Sequence, residues 1–187
     1  MGTDTRGRLL AEAEFLVRKR GYAGFSYADL AEAAGISKAG IHHHFPAKED
    51  LGAALIDTFK ERYDAALKAI WAESAPGTAR IAAYARLYLD GLRQDQGCLC
   101  GVMACERDIL PQRLQEGIKR FFAAHLVWLE RVLEAGIENG TIRQDIDAAT
   151  QAKLILSALE GVLMLGRLFD EKSGFDAVVN TLGKSLR

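Results

Sequence analysis

Residues 26–51 read SYADLAEAAGISKAGIHHHFPAKEDL, and the fold of the chain turns on how this run divides. Ser26 can cap a helix, and Asp29 stands at the capping-box position three residues on. Gly35 stops that helix. Ser37 caps a second one, which ends near His44 because Pro46 cannot continue it. Two short helices thus meet at a tight glycine turn.

The three consecutive histidines invite a metal reading, but their spacing argues against it. Neighbours on a helix splay by about 100°, and two helical ligands for one metal need i, i+3 or i, i+4 spacing. No metal site is expected. On the same helix Ile41 and Phe45 fall together as a buried edge. Ala39, Gly40, His42 and His43 point away from it, with Lys38 and His44 on the flanks. No acidic residue occurs from Ala33 to Lys48, in a chain where 26% of positions are charged. Small residues let a backbone approach a surface closely, and the polar side chains around them can donate or accept. Entry into the DNA major groove asks for such a helix after a glycine turn. An ordinary exposed helix pair is the alternative.

Working outward, the whole chain reads helical and no convincing strand pattern is present. Leu9, Ala13, Leu16 and Val17 recur at helical spacing before Gly21. A long helix spans about Lys48 to Glu73, and a fifth opens at Pro76 and closes at Gly97. A short one covers Val102 to Leu110. The next begins after Pro111 and stops at Asn139-Gly140. Two more cover about Ala148 to Phe169 and Gly174 to Leu186.

The chain has 187 residues, 49% of them hydrophobic and only three of them proline, which is ample for a folded core. Its net charge of −1 does not by itself favour nucleic acid. The N-terminus lacks the apolar run of a signal peptide, and Leu154–Gly166 is interrupted by Glu160 and too short to span a bilayer. Three cysteines, an odd number, suggest free thiols in a reducing cytoplasm.

The run from Phe25 to Leu51 resembles the N-terminal helix-turn-helix of the TetR family of transcriptional regulators. The resemblance rests on Gly21-Tyr22, Asp29-Leu30-Ala31, Ala34-Gly35-Ile36-Ser37-Lys38 and Phe45-Pro46-x-Lys48-Glu49-x-Leu51, and covers about residues 8–55. It implies an all-α fold, with a three-helix DNA-binding domain at 1–47 and a helical effector-binding and dimerisation domain at 48–187. The family usually has a phosphate-contacting tyrosine where this chain has His42. Carried onto these positions, Ser26 and Tyr27 would meet phosphate at a helix N-terminus. Lys38, Ala39, Gly40 and His43 are candidates for base edges, and His42, His44 and Lys48 for the DNA backbone.

In the larger domain, Leu154–Phe169 is apolar on nearly all sides, so it must be covered on two faces. The resemblance implies that it and the last helix form a homodimer interface. Two readers on one face then imply a roughly palindromic operator. The resemblance also implies a pocket for an unidentified small-molecule effector. Phe121, Phe122, His125 and Trp128 on one helix, with Trp71 and Met103, are candidates for its lining, though core packing is an equal reading for several. Cys98, Cys100 and Cys105 stand close together near a helix start, where thiols can be reactive. Buried small hydrophobes is the plainer account of them. No nucleophile–base pair or cofactor motif is present, so neither an enzyme nor a cofactor is expected, and no membrane partner. The reading is a cytoplasmic dimeric repressor, released from palindromic DNA by an effector or, alternatively, by cysteine oxidation or electrophile modification.

Overall fold

The computed structural model describes residues 4–170 and 173–187. These residues form nine α-helices and one 3-10 turn, with no strand among them. In chain order they are α1 Thr5–Arg20, α2 Tyr27–Ala34, α3 Lys38–His44, α4 Lys48–Glu73, α5 Thr78–Arg93, α6 Leu99–Cys105, α7 Gln112–Glu138, α8 Ala148–Leu168 and α9 Ser173–Ser185. The chain divides into two compact units. One holds residues 4–61 with Leu99–Phe121, and the other Arg62–Cys98 with the described residues from Phe122 onward.

In the first unit, α1 buries Leu9, Ala13 and Val17, α2 buries Leu30, and α3 buries Ile41 completely. Phe59 and Phe121 close this core with ring centroids 5.4 Å apart. In the second unit α8 packs on α5 and α9. Leu129, Val132, Leu133, Ile155, Leu159 and Phe175 form its apolar centre.

Two boundaries differ from the sequence expectation, each for a local reason. Helix α5 ends at Arg93 because the Gln96 N–H returns to the Gly91 carbonyl and Asp95 turns left-handed. The expected helix over Val102–Leu110 begins earlier, burying Leu99, Cys100 and Met103, and breaks at Cys105. A separate 3-10 turn, Arg107–Ile109, follows it. Leu110 is extended there, as the residue before a proline must be.

Helix α8 also corrects the shorter tract read from sequence. At 21 residues it is long and apolar enough to cross a bilayer, but Ile155, Leu159 and Leu163 on one side are buried in the helical unit. Its other side leaves Met164 and Leu168 exposed, and Phe169 at the helix end is exposed as well, the last two by 71% and 68%.

The turn that aims α3 is a left-handed helix cap. Gly35 sits at φ 64°, ψ 33°, and Ile36 donates to the Ala31 carbonyl at 3.1 Å. A Cβ on Gly35 would meet nothing within 4 Å, so the demand is conformational alone. Gly35→Ala is expected to lower stability by about 1 kcal/mol. Gly35→Asn should lose less, because asparagine tolerates this region; chemical denaturation of both variants measures the difference.

Candidate DNA-binding surface and ligand cleft

The capping box at the start of α2 forms as the spacing requires. Ser26 Oγ accepts from the Ala28 and Asp29 N–H groups at 3.2 and 3.4 Å. The Asp29 carboxylate accepts from the Ser26 N–H at 2.7 Å and its hydroxyl at 2.6 Å. Those bonds hold the Asp29 carboxyl below its ordinary range. Tyr27 donates its hydroxyl to the Phe45 carbonyl at 2.9 Å, tying α2 to the end of α3. Its ring lies 4.8 Å from that of His42, whose Nδ1 is 3.1 Å from the Pro46 carbonyl.

Ser37 caps α3 by accepting from the Gly40 N–H at 3.1 Å. The face then presented carries Lys38, Ala39, His42 and His43, all exposed, with Gly40 and His44 half-buried beside them. Ile41 and Phe45 lie beneath. A side chain at Gly40 would press on Ile36 Cγ2 at 2.9 Å, so this position favours the absence of one.

Lys48 is placed differently from a side chain reaching outward. Its ammonium donates to the Tyr22 carbonyl at 2.6 Å and to the Phe25 carbonyl. It stands 4.7 and 4.3 Å from the centroids of those two rings. Partial burial lowers its pKa, opposed by the charges of Glu106 and Asp29. Glu106 in turn accepts from the Ala23 N–H at 3.0 Å. Sequence reasoning missed Glu106 in this role, since nothing local marks an acid whose partner lies 83 residues away. It also missed Arg8, which donates to the Ala34 carbonyl at 2.9 Å and caps α2 from α1.

In the second unit, Trp71 of α4 and Trp128 of α7 line one cleft of about 470 Å³. Arg80 stacks on the Trp71 ring at 4.1 Å and donates to its carbonyl at 2.8 Å. Trp128 stacks on Tyr84, with centroids 5.5 Å apart and planes 27° from parallel. Behind that stack runs a buried polar chain. Tyr84 Oη lies 2.8 Å from His125 Nδ1 and 3.1 Å from Tyr88 Oη. Glu160 of α8 accepts from the Tyr88 hydroxyl and the Cys98 thiol. When Glu160 is ionised, each hydroxyl donates once along the line, which puts a proton on His125 Nδ1. Burial pushes both tyrosines well above their ordinary pKa.

Of the residues the sequence put forward for a pocket, Trp71 and Trp128 come together and His125 lies buried behind them. Phe122 is half-buried in the second unit, whereas Met103 and Phe121 are fully buried in the first. Tyr84, Tyr88 and Arg80 were missed, although the i, i+4 tyrosines and a lone acid in an apolar helix were visible signals. Cys98 and Cys100 are buried and Cys105 is exposed. Among the described residues, no group of three or more histidines, cysteines or acids could hold a metal ion.

A capped helix pair presenting an acid-free face, joined to a helical body with a ligand-sized cleft, defines a helix-turn-helix DNA-binding regulator. The family model "Bacterial regulatory proteins, tetR family" matches residues 9–55, and "Tetracyclin repressor-like, C-terminal domain" matches residues 77–182, more than half the chain. The chain belongs to the TetR family of bacterial transcriptional regulators and is not an enzyme. Among curated relatives, the regulator CymR of Pseudomonas putida is 29% identical, covering 95% of this chain and 87% of that one. The repressor NemR of Escherichia coli K12 is 26% identical, covering 96% and 90%. A TetR regulator of Legionella pneumophila superposes over both full chains at TM-score 0.89 and 34% identity.

Glu160 gives a pH dependence with a definite sign. Burial raises its carboxyl from 4.5 to about 7. The folded state therefore holds this proton longer than the unfolded state does. Its contribution to stability is complete below about 4.5 and is lost as pH rises towards 7. The size follows from about 1.4 kcal/mol per unit, or roughly 3 kcal/mol. Glu160→Gln should remove this loss, so wild type should decline against the variant by roughly that amount across the interval. Denaturant unfolding of both proteins over the pH series measures it.

Proposed function

We propose that this protein is a cytoplasmic, dimeric repressor that recognises a palindromic operator and leaves it when a small molecule binds the helical body. The observation that carries the proposal is the acid-free face of α3, on which Lys38, Ala39 and His43 are exposed. Its backbone position is determined by a capping box, a left-handed glycine and the Tyr27–Phe45 bond. A helix held this firmly loses little entropy on docking. Base edges fall to Lys38, Ala39, Gly40 and His43, and phosphates to His42, His44 and the N-terminal end of α2 at Ser26 and Tyr27. Lys48 supports this surface from behind by holding the loop before α2, in addition to any phosphate contact.

The second copy belongs, in this proposal, on α8 and α9. The exposed Met164, Leu168 and Phe169 continue a helix whose other face is already buried. An exposed apolar stripe of this kind suits an isologous interface. Effector action is limited by linkage: a ligand weakens operator binding only by its difference in affinity between the two states. CymR and NemR are both named as HTH-type transcriptional regulators or repressors, which supports the DNA half of the proposal.

A second reading, release by thiol chemistry, draws on Cys105, the exposed one of the three cysteines. Ligand release is preferred because the other two are buried. Replacing all three by serine separates the two: an unchanged inducer response eliminates the thiol route.

The test is selection of DNA from a random pool at near-physiological salt. The expected product is a palindrome whose half-sites lie about one helical turn, ~34–36 Å, apart. His43→Ala should weaken the selected site by about 1–3 kcal/mol and relax one position in each half. Leu168→Glu should give a monomer by sedimentation and lose the palindrome. Binding that enriches no sequence and disappears with salt would overturn the repressor reading.

A further inference from the structure

We infer that the cleft between Trp71 and Trp128 binds a planar aromatic anion, a flat apolar ring system carrying one negative group. The inference rests on the reading that the helical body takes the effector, and it names that effector's chemical class.

The walls come first. The chain contains only two tryptophans, and both line this cleft. Each indole is held from another side: Trp128 by the stacked ring of Tyr84, and Trp71 by the Arg80 guanidinium. Their ring positions are therefore determined before any ligand arrives, so little ordering cost remains. Leu67 and Ala124 extend the apolar lining, and Val127 stands 57% exposed within it. A volume of about 470 Å³ falls in the range that takes small organic ligands. Rigid indole walls suit a flat partner, because offset stacking gives more than area burial alone.

The rim decides the sign. Lys68 and Arg131 are exposed at the cleft, and Asp64 is the one acid lining it. Two cations against one carboxylate favour an anion and disfavour a cation. Arg131 is the better anchor, because its guanidinium already lies 5.2 Å from the Trp71 ring centroid. From there its planar fork can meet a carboxylate or sulfonate with two parallel bonds. A ring stacked on an indole with its charged edge at Arg131 satisfies both halves of the site. An amine would meet two like charges instead.

The test uses the full-length protein and three probes of one shape: 2-naphthoate, 2-naphthamide and 2-naphthylmethylamine. Calorimetry gives affinities, and quenching of tryptophan emission reports binding at this cleft, since both fluorophores are there. Naphthoate should bind at least tenfold more tightly than the amide, and the amine more weakly still. Arg131→Glu should invert that order, which a merely damaged protein would not do. Val127→Glu, at an exposed position, should weaken naphthoate by a comparable factor. Equal affinity for the three probes, or no naphthoate binding by a protein that still selects its operator, would overturn this inference and leave the repressor reading standing. Tight, charge-selective naphthoate binding by a protein that selects no DNA would uphold the cleft and sink the repressor reading alone.

Discussion

The first unit depends on one loop, Gly21–Ser26, being held from two distant places. Lys48 takes the carbonyls of Tyr22 and Phe25, and Glu106 takes the N–H of Ala23. Both rings of the loop turn back over the same ammonium. Gly21 adopts φ 89°, and a Cβ there would strike the Glu106 carboxylate at 2.1 Å. A loop with these polar groups satisfied by charges has little freedom left. The start of α2 at Ser26 is thereby fixed, the glycine turn carries that position forward, and α3 inherits it. The exposed face of α3 is thus positioned by contacts that lie behind it.

This arrangement changes how the cations should be weighed. A lysine at the N-terminus of a long helix would ordinarily be read as a phosphate contact. Lys48 is already bonded to two carbonyls, and its burial disfavours its charged form while Glu106 favours it. Under the proposed function, the polar groups that meet DNA include the exposed ones on α3 itself, Lys38, His42 and His43. The two helical units also use polar groups differently. The first spends them on caps and loop carbonyls near the surface, and the second threads them through its centre as Tyr84, Tyr88, His125 and Glu160.

The parts legible in the sequence are those whose cause is local. Capping residues, the αL glycine, prolines and a 3.6-residue stripe determine a helix within a few positions, so the approximate bounds read for α2, α3 and α4 agree with the helices found. The open face of α3 followed from helical geometry once Ile41 and Phe45 were placed inside. Long-range pairings were not readable. The Glu106–Ala23 bond joins residues 83 apart in sequence, and the Tyr84–His125 bond joins residues 41 apart. Phe121 and Met103 look like pocket residues by type, but burial in a core uses the same residue types. Only the fold distinguishes the two.

The two tryptophans show what composition alone leaves undetermined. An indole on a helix stripe fits a core or a pocket equally well, and both of these are half-buried at a cleft. Trp128 belongs to both worlds, with Tyr84 against its ring and the cleft beside it. Tyr84 is in turn hydrogen-bonded to His125 and Tyr88, and through Tyr88 the chain reaches Glu160 of α8. A ligand that shifts the Trp128 ring must therefore either break the Tyr84 stack or move a tyrosine that is fully buried and hydrogen-bonded to His125 and Tyr88. Buried networks of this kind resist partial change, because each unsatisfied member costs about 1–3 kcal/mol. Under the proposed function, the cleft is thus backed by an element with few stable arrangements, which suits a discrete response to a bound ligand over a graded one.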